Sequence, residues 1–292
     1  MKSTVEALKK GYPFKTPYID LKGVKYHYLD EGQGNPLVML HGNPTWSFYY
    51  RRLVLALKDQ YRIIAPDHIG CGMSDKPQKY NYRLSQHIDN LDILLNKLNL
   101  KDITLVMHDW GGAIGMGWAA KRPDRVKNIV LFNTAAFLSP LIPFRIRICR
   151  IPILGDIAIR GLNAFAVCAT FMACKKKERM TRDIKTGYLA PYDSYANRIA
   201  ILRFVQDIPL TPADHSYSLM QTIERGLSNF KNHPVLIIWG EKDFCFNNRF
   251  LERWKYFFPK AIVKKVSDAG HYVLEDAWEE IIPWMKDFLR NN

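Results

Sequence analysis

The sequence predicts an α/β fold in which a parallel sheet is wrapped by helices. Three observations predict it. Short apolar runs alternate with runs of helical period up to about residue 133. Turn residues, mostly Gly, Pro, Asn and Asp, punctuate them. The same alternation resumes after residue 230, which leaves a differently patterned segment between.

In chain order, Tyr18 to Asp30 reads as two alternating strands around Lys22-Gly23, with Val24, Tyr26 and Tyr28 on one face. Pro36 to Leu40 is a short buried-type strand, broken by His41-Gly42-Asn43-Pro44, and Ser47 to Lys58 reads as helix. Tyr61 to Ala65 is a strand ended by Pro66 and a turn-rich stretch through Gly72. His87, Ile88, Leu91, Leu94, Leu95 and Leu98 recur at helical spacing. Ile103 to Met107 is a strand, Gly111 to Ala120 a helix, and Asn128 to Phe132 a strand again. Strands at Val235 to Trp239 and Ile262 to Val266 follow, with helices at Arg249 to Phe257 and Ala277 to Leu289. The intervening segment is helical and apolar. The expected division is a core of residues 1–133 and 231–292 with a helical cap of residues 134–230.

Length and composition agree with one α/β domain carrying an insertion. The chain has 292 residues, 48% hydrophobic and 24% charged. Its first residues, MKSTVEALKK, show no apolar leader, and no apolar run approaches the roughly 18 residues of a membrane span. The expectation is a cytoplasmic protein. Five cysteines without a C-x-x-C pair make disulfide frameworks and zinc knuckles poor explanations, and neither metal nor cofactor is expected. The net charge of +14 gathers partly at Arg145, Arg147, Arg150, Arg160, Lys175-Lys176-Lys177 and Arg179. No nucleic-acid recognition motif accompanies it, so no nucleic-acid partner is expected. The bland account is a solvated basic face. The sharper one is contact with anionic lipid, because Ile146, Ile148, Ile151 and Ile153 interleave with these charges.

Ligands of open α/β sheets sit beyond the carboxyl ends of the strands. Four stretches following expected strands converge there: His41 to Pro44, His108 to Gly111, Gly240 to Asp243, and Asp268 to His271. In Met107-His108-Asp109-Trp110-Gly111 an Asp stands where a nucleophile elbow, G-x-S-x-G, carries its Ser. Taken alone, Asp109 is equally well a helix N-cap. Asp243 alone is a turn residue, and His271 alone is a structural histidine. Their order changes this: nucleophile, acid and histidine follow successive strands in the chain order of that template.

An Asp nucleophile implies its own chemistry. A carboxylate, of ordinary pKa about 3.9, attacks without a general base and can displace a leaving group from saturated carbon to form an ester. His271, oriented by Asp243, then activates water against that ester. Backbone N–H groups of Asn43 and Trp110 are candidates for the oxyanion. The Trp110 indole and the Asn43 amide are neutral donors able to cradle a departing anion, although core packing and a loop amide explain the same residue types.

The stretches HGNPTWSFYYR, DHIGCGMSDKP, HDWGG and DAGHYVLED resemble the haloalkane dehalogenase branch of the α/β-hydrolases across nearly the whole chain. The resemblance implies a mostly parallel eight-stranded sheet flanked by helices, with an inserted helical cap. It also implies Asp109 as nucleophile, Asp243 as acid, His271 as base, and Asn43 with Trp110 as halide donors. A subgroup that places a Glu acid after the sixth strand is excluded by Phe132-Asn133-Thr134. In the cap, NTAAF, RGLNAFA, GYLAPYDSYANRIA and RFVQDIPL resemble the β-lactone decarboxylases of long-chain olefin biosynthesis.

That closer resemblance implies conversion of a cis-3,4-dialkyl β-lactone to a cis-alkene and CO2, with thiolase-like and β-lactone synthetase partners. The alternative is haloalkane hydrolysis, and the residues leave open whether halide or carboxylate departs. An epoxide hydrolase would need cap tyrosines, for which Tyr188, Tyr192, Tyr195 and Tyr217 are available, but it usually carries an aromatic at the position of Asn43. A fluoroacetate dehalogenase would carry Arg in place of Trp110. A catalytically silent binding protein would not need the intact triad.

Overall fold

The computed structural model describes residues 11–292, so MKSTVEALKK, read above for its lack of a leader, lies outside the described residues. Eight strands form one sheet: β1 (Tyr18–Asp20), β2 (Lys25–Glu31), β3 (Pro36–Leu40), β4 (Arg62–Pro66), β5 (Ile103–Asp109), β6 (Val126–Thr134), β7 (Val235–Gly240) and β8 (Ile262–Val266). Their order is β1-β2-β4-β3-β5-β6-β7-β8. The pairings of β2 with β1 and with β4 are antiparallel, and all the others are parallel.

Alternation along the central strands sorts side chains onto two faces. Leu105 and Met107 of β5 join one core with Ile88 and Leu91 of α2 (Leu84–Lys97) and Ile114 of α3 (Trp110–Lys121). Val106 points the other way, into a core with Val54 of α1 (Arg51–Leu57) and Ile281 of α10 (Val273–Arg290). Every residue of β5 is buried, as expected of a parallel strand covered on both faces. This rigid central strand ends at Asp109.

Between β6 and β7 the chain is helical: α4 (Phe144–Cys149), a π-helical turn at Asp156–Gly161, α5 (Ala164–Met172), α6 (Arg182–Leu189), α7 (Ile199–Gln206) and α8 (Tyr217–Gly226). Ile159, Ala166, Tyr192, Ile201, Leu202 and Val205 give this segment a small core of its own. The remaining helix, α9 (Asn248–Phe257), joins β7 to β8.

Two elements differ from the sequence expectation. The helix expected over Ser47 to Lys58 opens as a 3₁₀ turn, Ser47–Tyr50, before α1. The last helix begins at Val273 rather than Ala277, which instead marks a kink with φ −144° and ψ 30°. Its first turn carries Glu275 and Asp276, whose charges hide the burial of both side chains from any hydropathy pattern.

Candidate active site

Asp109 ends β5 with φ 51° and ψ −125°, a backbone conformation that L-residues avoid and that costs of order 1–3 kcal/mol. Its side chain makes no capping bond to α3, so the helix-cap explanation falls. The surroundings over-determine the turn. The Thr134 hydroxyl, at the end of β6, donates to the Asp109 carbonyl. A Cβ on Gly111 would overlap the Leu40 carbonyl, and one on Gly42 would overlap the Asp109 carboxylate. The glycine after the elbow and the glycine of the His41 loop thus let two backbones close on one carboxylate.

That carboxylate is held from both sides. The Asn43 N–H donates to Oδ1 at 2.7 Å, and the Trp110 N–H lies near the same carboxylate. Oδ2 lies 3.5 Å from Nε2 of His271. The opposite ring nitrogen, Nδ1, is 2.8 Å from Oδ2 of Asp243, whose Oδ1 accepts the Cys245 N–H at 2.6 Å. Burial raises the Asp109 carboxyl above the ordinary range, while His271 and the N–H groups of Asn43 and Trp110 pull it back. Burial works against a charged His271, but Asp243 in hydrogen-bond contact and Asp109 nearby outweigh it and raise its pKa.

Asp109, His271, Asn43 and Trp110 share the wall of one cavity of about 420 Å³, otherwise lined mostly by apolar groups such as Phe137, Ile142, Phe165, Met172 and Met220, with Ser139 and Arg145 among them. The Trp110 indole N–H has no hydrogen-bond partner among the described residues. The Asn43 amide is placed differently from expectation: it gives one N–H to the carbonyl of Ile201 in α7, at 3.1 Å, which leaves one for the cavity. Among the described residues no cluster of His, Cys, Asp and Glu is disposed to hold a metal. Of the four tyrosines weighed for an epoxide hydrolase, none lines the cavity. Tyr188 bonds Glu275 at 2.5 Å, and Tyr195 bonds Asp156 on the outside.

Supporting residues that the sequence did not single out complete the site. Asn133 exchanges two hydrogen bonds with Gly240, of 3.0 and 2.8 Å, and so ties the ends of β6 and β7 rather than facing His271. Asp276 accepts the N–H groups of Gly270, Lys175 and Lys176, each at 2.8 Å. One buried carboxylate therefore joins the histidine loop to the segment after α5. The only sequence signal was an acidic pair at a helix start, which reads as an ordinary first turn.

Comparison with known proteins bears on the fold and the family. A family model described as alpha/beta hydrolase fold matches residues 35–155 and 166–277. The chain is 50% identical to the cis-3-alkyl-4-alkyloxetan-2-one decarboxylase of Shewanella oneidensis, over 95% of this chain and 89% of that protein. It is 43% identical to the enzyme of the same name from Xanthomonas campestris pv. campestris, over 97% and 98%. A crystal structure of a point mutant of the haloalkane dehalogenase DatA from Agrobacterium tumefaciens superposes with a TM-score of 0.85 at 26% identity, covering 98% of this chain and 99% of that one. The chain belongs to the α/β-hydrolase family, on its haloalkane dehalogenase branch.

Proposed function

We propose that this enzyme is a β-lactone decarboxylase, converting cis-3,4-dialkyl β-lactones to cis-alkenes and CO2. The observation that carries this reading over dehalogenation is the 50% identity, across 95% of the chain, to a protein named for that reaction. In this proposal residues 1–133 and 231–292 are the catalytic core, and residues 134–230 are the cap that shapes the substrate cavity.

Asp109 is the nucleophile. Its Oδ1 is already held by the Asn43 backbone N–H, so the free donors near it, the Trp110 indole and the remaining Asn43 side-chain N–H, suit a second anion. Attack on the alkyl carbon of the lactone breaks the ring C–O bond, and the ring oxygen departs as a carboxylate into that cradle. Inversion at this carbon sets the new ester bond anti to the carboxylate. The C–CO2 bond then breaks, its electron pair forms the alkene, and the Asp109 carboxylate leaves. Inversion followed by anti elimination preserves the cis geometry, and no water is consumed. His271, oriented by Asp243, is the base for the competing water attack on the ester, and its positive form steadies Asp109 as it leaves.

The second reading, haloalkane hydrolysis, is favoured by the similarity to the dehalogenase structure and uses the same nucleophile and cradle. Purified protein separates them. Gas chromatography is expected to find the cis-alkene from a synthetic β-lactone. Rapid bromide release from a bromoalkane with the lactone left intact would reverse the assignment. The reading carries with it thiolase-like and β-lactone synthetase enzymes as partners, supplying the lactone. No described helix is long and apolar enough to cross a membrane. Peripheral contact with lipid is the remaining way for this cap to meet a bilayer.

A further inference from the structure

Of the seventeen large apolar side chains exposed among the described residues, nine fall between Leu141 and Phe171. Phe144 and Ile153 are each 74% exposed and Leu162 is 72% exposed. Their elements adjoin in the fold. α4 and α5 both pack on the π-helical turn, and α4 and that turn both pack on α7. The small core of the cap lies beneath them, where Ile159, Ala166 and Ile201 are buried. Leu141, Arg145, Ile146 and Phe165 from the same stretch line the catalytic cavity. Arg145 apart, the wall is therefore apolar on both sides, with the reaction site within and solvent without. A helix with two apolar sides calls for an apolar environment on each.

Charge says which environment. From Leu141 to Lys177 the sequence has seven basic residues and one acidic residue, Asp156. Arg150, Arg160 and Lys176 pair with Asp214, Asp156 and Asp268. Arg145, Arg147, Lys175 and Lys177 have no acidic partner among the described residues. A second copy seated face to face would set these cations against each other. Pro143, Pro152, Gly155 and Gly161 keep the helices short, and none can span a bilayer. Exposed Ile, Leu and Phe mixed with unpaired cations is the composition of a surface lying in an interface.

We infer that the cap face built by α4, the π-helical turn and α5 docks on an anionic lipid bilayer. Phe144, Ile153 and Leu162 enter the acyl boundary while Arg147 and Lys177 meet the headgroups. The docking stands on this face alone. Its use, passing a membrane-dissolved substrate through the thin apolar wall, rests on the long-chain lactone proposed above.

Co-sedimentation of the full chain with vesicles of phosphatidylcholine, with and without phosphatidylglycerol, tests this. Binding is expected on the anionic vesicles, weaker on phosphatidylcholine alone, and reduced by salt. Combining Phe144→Ser, Ile153→Ser and Leu162→Ser is expected to lower partitioning about tenfold or more. Arg147→Ser is expected to lower it about fivefold, on anionic vesicles only. Protein left in the supernatant with wild-type sequence, or variants that bind as well as wild type, would overturn the inference. So would a triple variant that loses an oligomer by light scattering instead of losing lipid. None of the three serine positions lines the cavity, so alkene formation from detergent-dispersed lactone should be unchanged in the triple variant. Failure of docking and failure of the decarboxylase reading thus show in different assays.

Discussion

His108 Nε2 lies 2.9 Å from the backbone carbonyl of His271, so the residue before the proposed nucleophile supports the loop of the proposed base. The His108 ring is fully buried and stacked on Tyr49, with centroids 4.4 Å apart. Burial drives its pKa well down, so it stands neutral and donates one N–H. His108→Leu leaves a buried carbonyl unpaired, which costs about 1–3 kcal/mol. It should lower Tm and, by loosening the His271 loop, lower kcat more than it raises KM. His108→Gln, which keeps a donor, should restore much of kcat. Thermal denaturation and steady-state kinetics on both variants check this, and equal kcat in His108→Leu and wild type would remove the positioning role.

Asp109→Asn should bring turnover down by at least about 10³-fold on any substrate, since the amide is no nucleophile. Stability should hold or rise. Asn keeps the shape of the side chain in this strained turn, and a buried carboxylate is lost. Initial rates and a melting curve on the same preparation read both effects. Retained activity at full stability would place the nucleophile elsewhere.

The sheet and the site loops were legible because each rests on a local signal. The run Ile103 to Met107, four apolar residues and Thr104, is short and rich in β-branched residues as a buried strand is, and Gly111 follows closely where the elbow needs close approach. Chain order then linked Asp243 and His271 to Asp109. What the sequence hid is long-range and polar. Thr134 on the Asp109 carbonyl, Ile201 on the Asn43 amide and Asp276 on the Lys175 N–H join residues that only the tertiary fold brings together. Buried acids read as surface residues when their partners are 100 positions away in the chain, as Lys176 is from Asp276. The basic run of the cap is likewise only partly a free basic face: Arg160 pairs locally with Asp156, while Arg150 and Lys176 pair with acids that no local pattern announces.

The pH dependence should split the two reactions. Asp243 and Asp109 raise the His271 pKa above its ordinary value of 6.5, so imidazolium persists to higher pH than in a free histidine. Water activation needs the neutral ring. Bromide turnover through a hydrolysed ester should therefore fall as pH drops through that raised pKa. Alkene formation has no water step and is assisted by the imidazolium, so it should hold or rise there. Both should fail at lower pH, where the Asp109 carboxyl, itself raised by burial, becomes protonated. Rate profiles of the two products between about pH 5 and 9 separate the cases. A shared acid limb near the His271 pKa would mean that decarboxylation also needs neutral imidazole.

Glu275 should be the strongest single determinant of stability near the site. Its carboxylate takes both terminal nitrogens of Arg51, at 2.5 and 2.8 Å, and the Tyr188 hydroxyl at 2.5 Å, all buried. The three residues come from α1, the first turn of α10 and α6, so one carboxylate joins core to cap four residues beyond His271. Glu275→Ala strands the buried Arg51 charge and should cost about 3–5 kcal/mol. Burial opposes ionisation of Glu275, but Arg51 and the Tyr188 hydroxyl outweigh it and lower its pKa below the ordinary 4.5. The sign follows: the folded state binds this proton less readily than the unfolded state. The stabilisation is full above the unfolded pKa and is lost as pH falls through the folded one. Denaturant titrations of wild type and Glu275→Gln at neutral and acid pH should therefore converge as pH drops. A gap that stays constant would show that the ion pair is not what holds the two elements together.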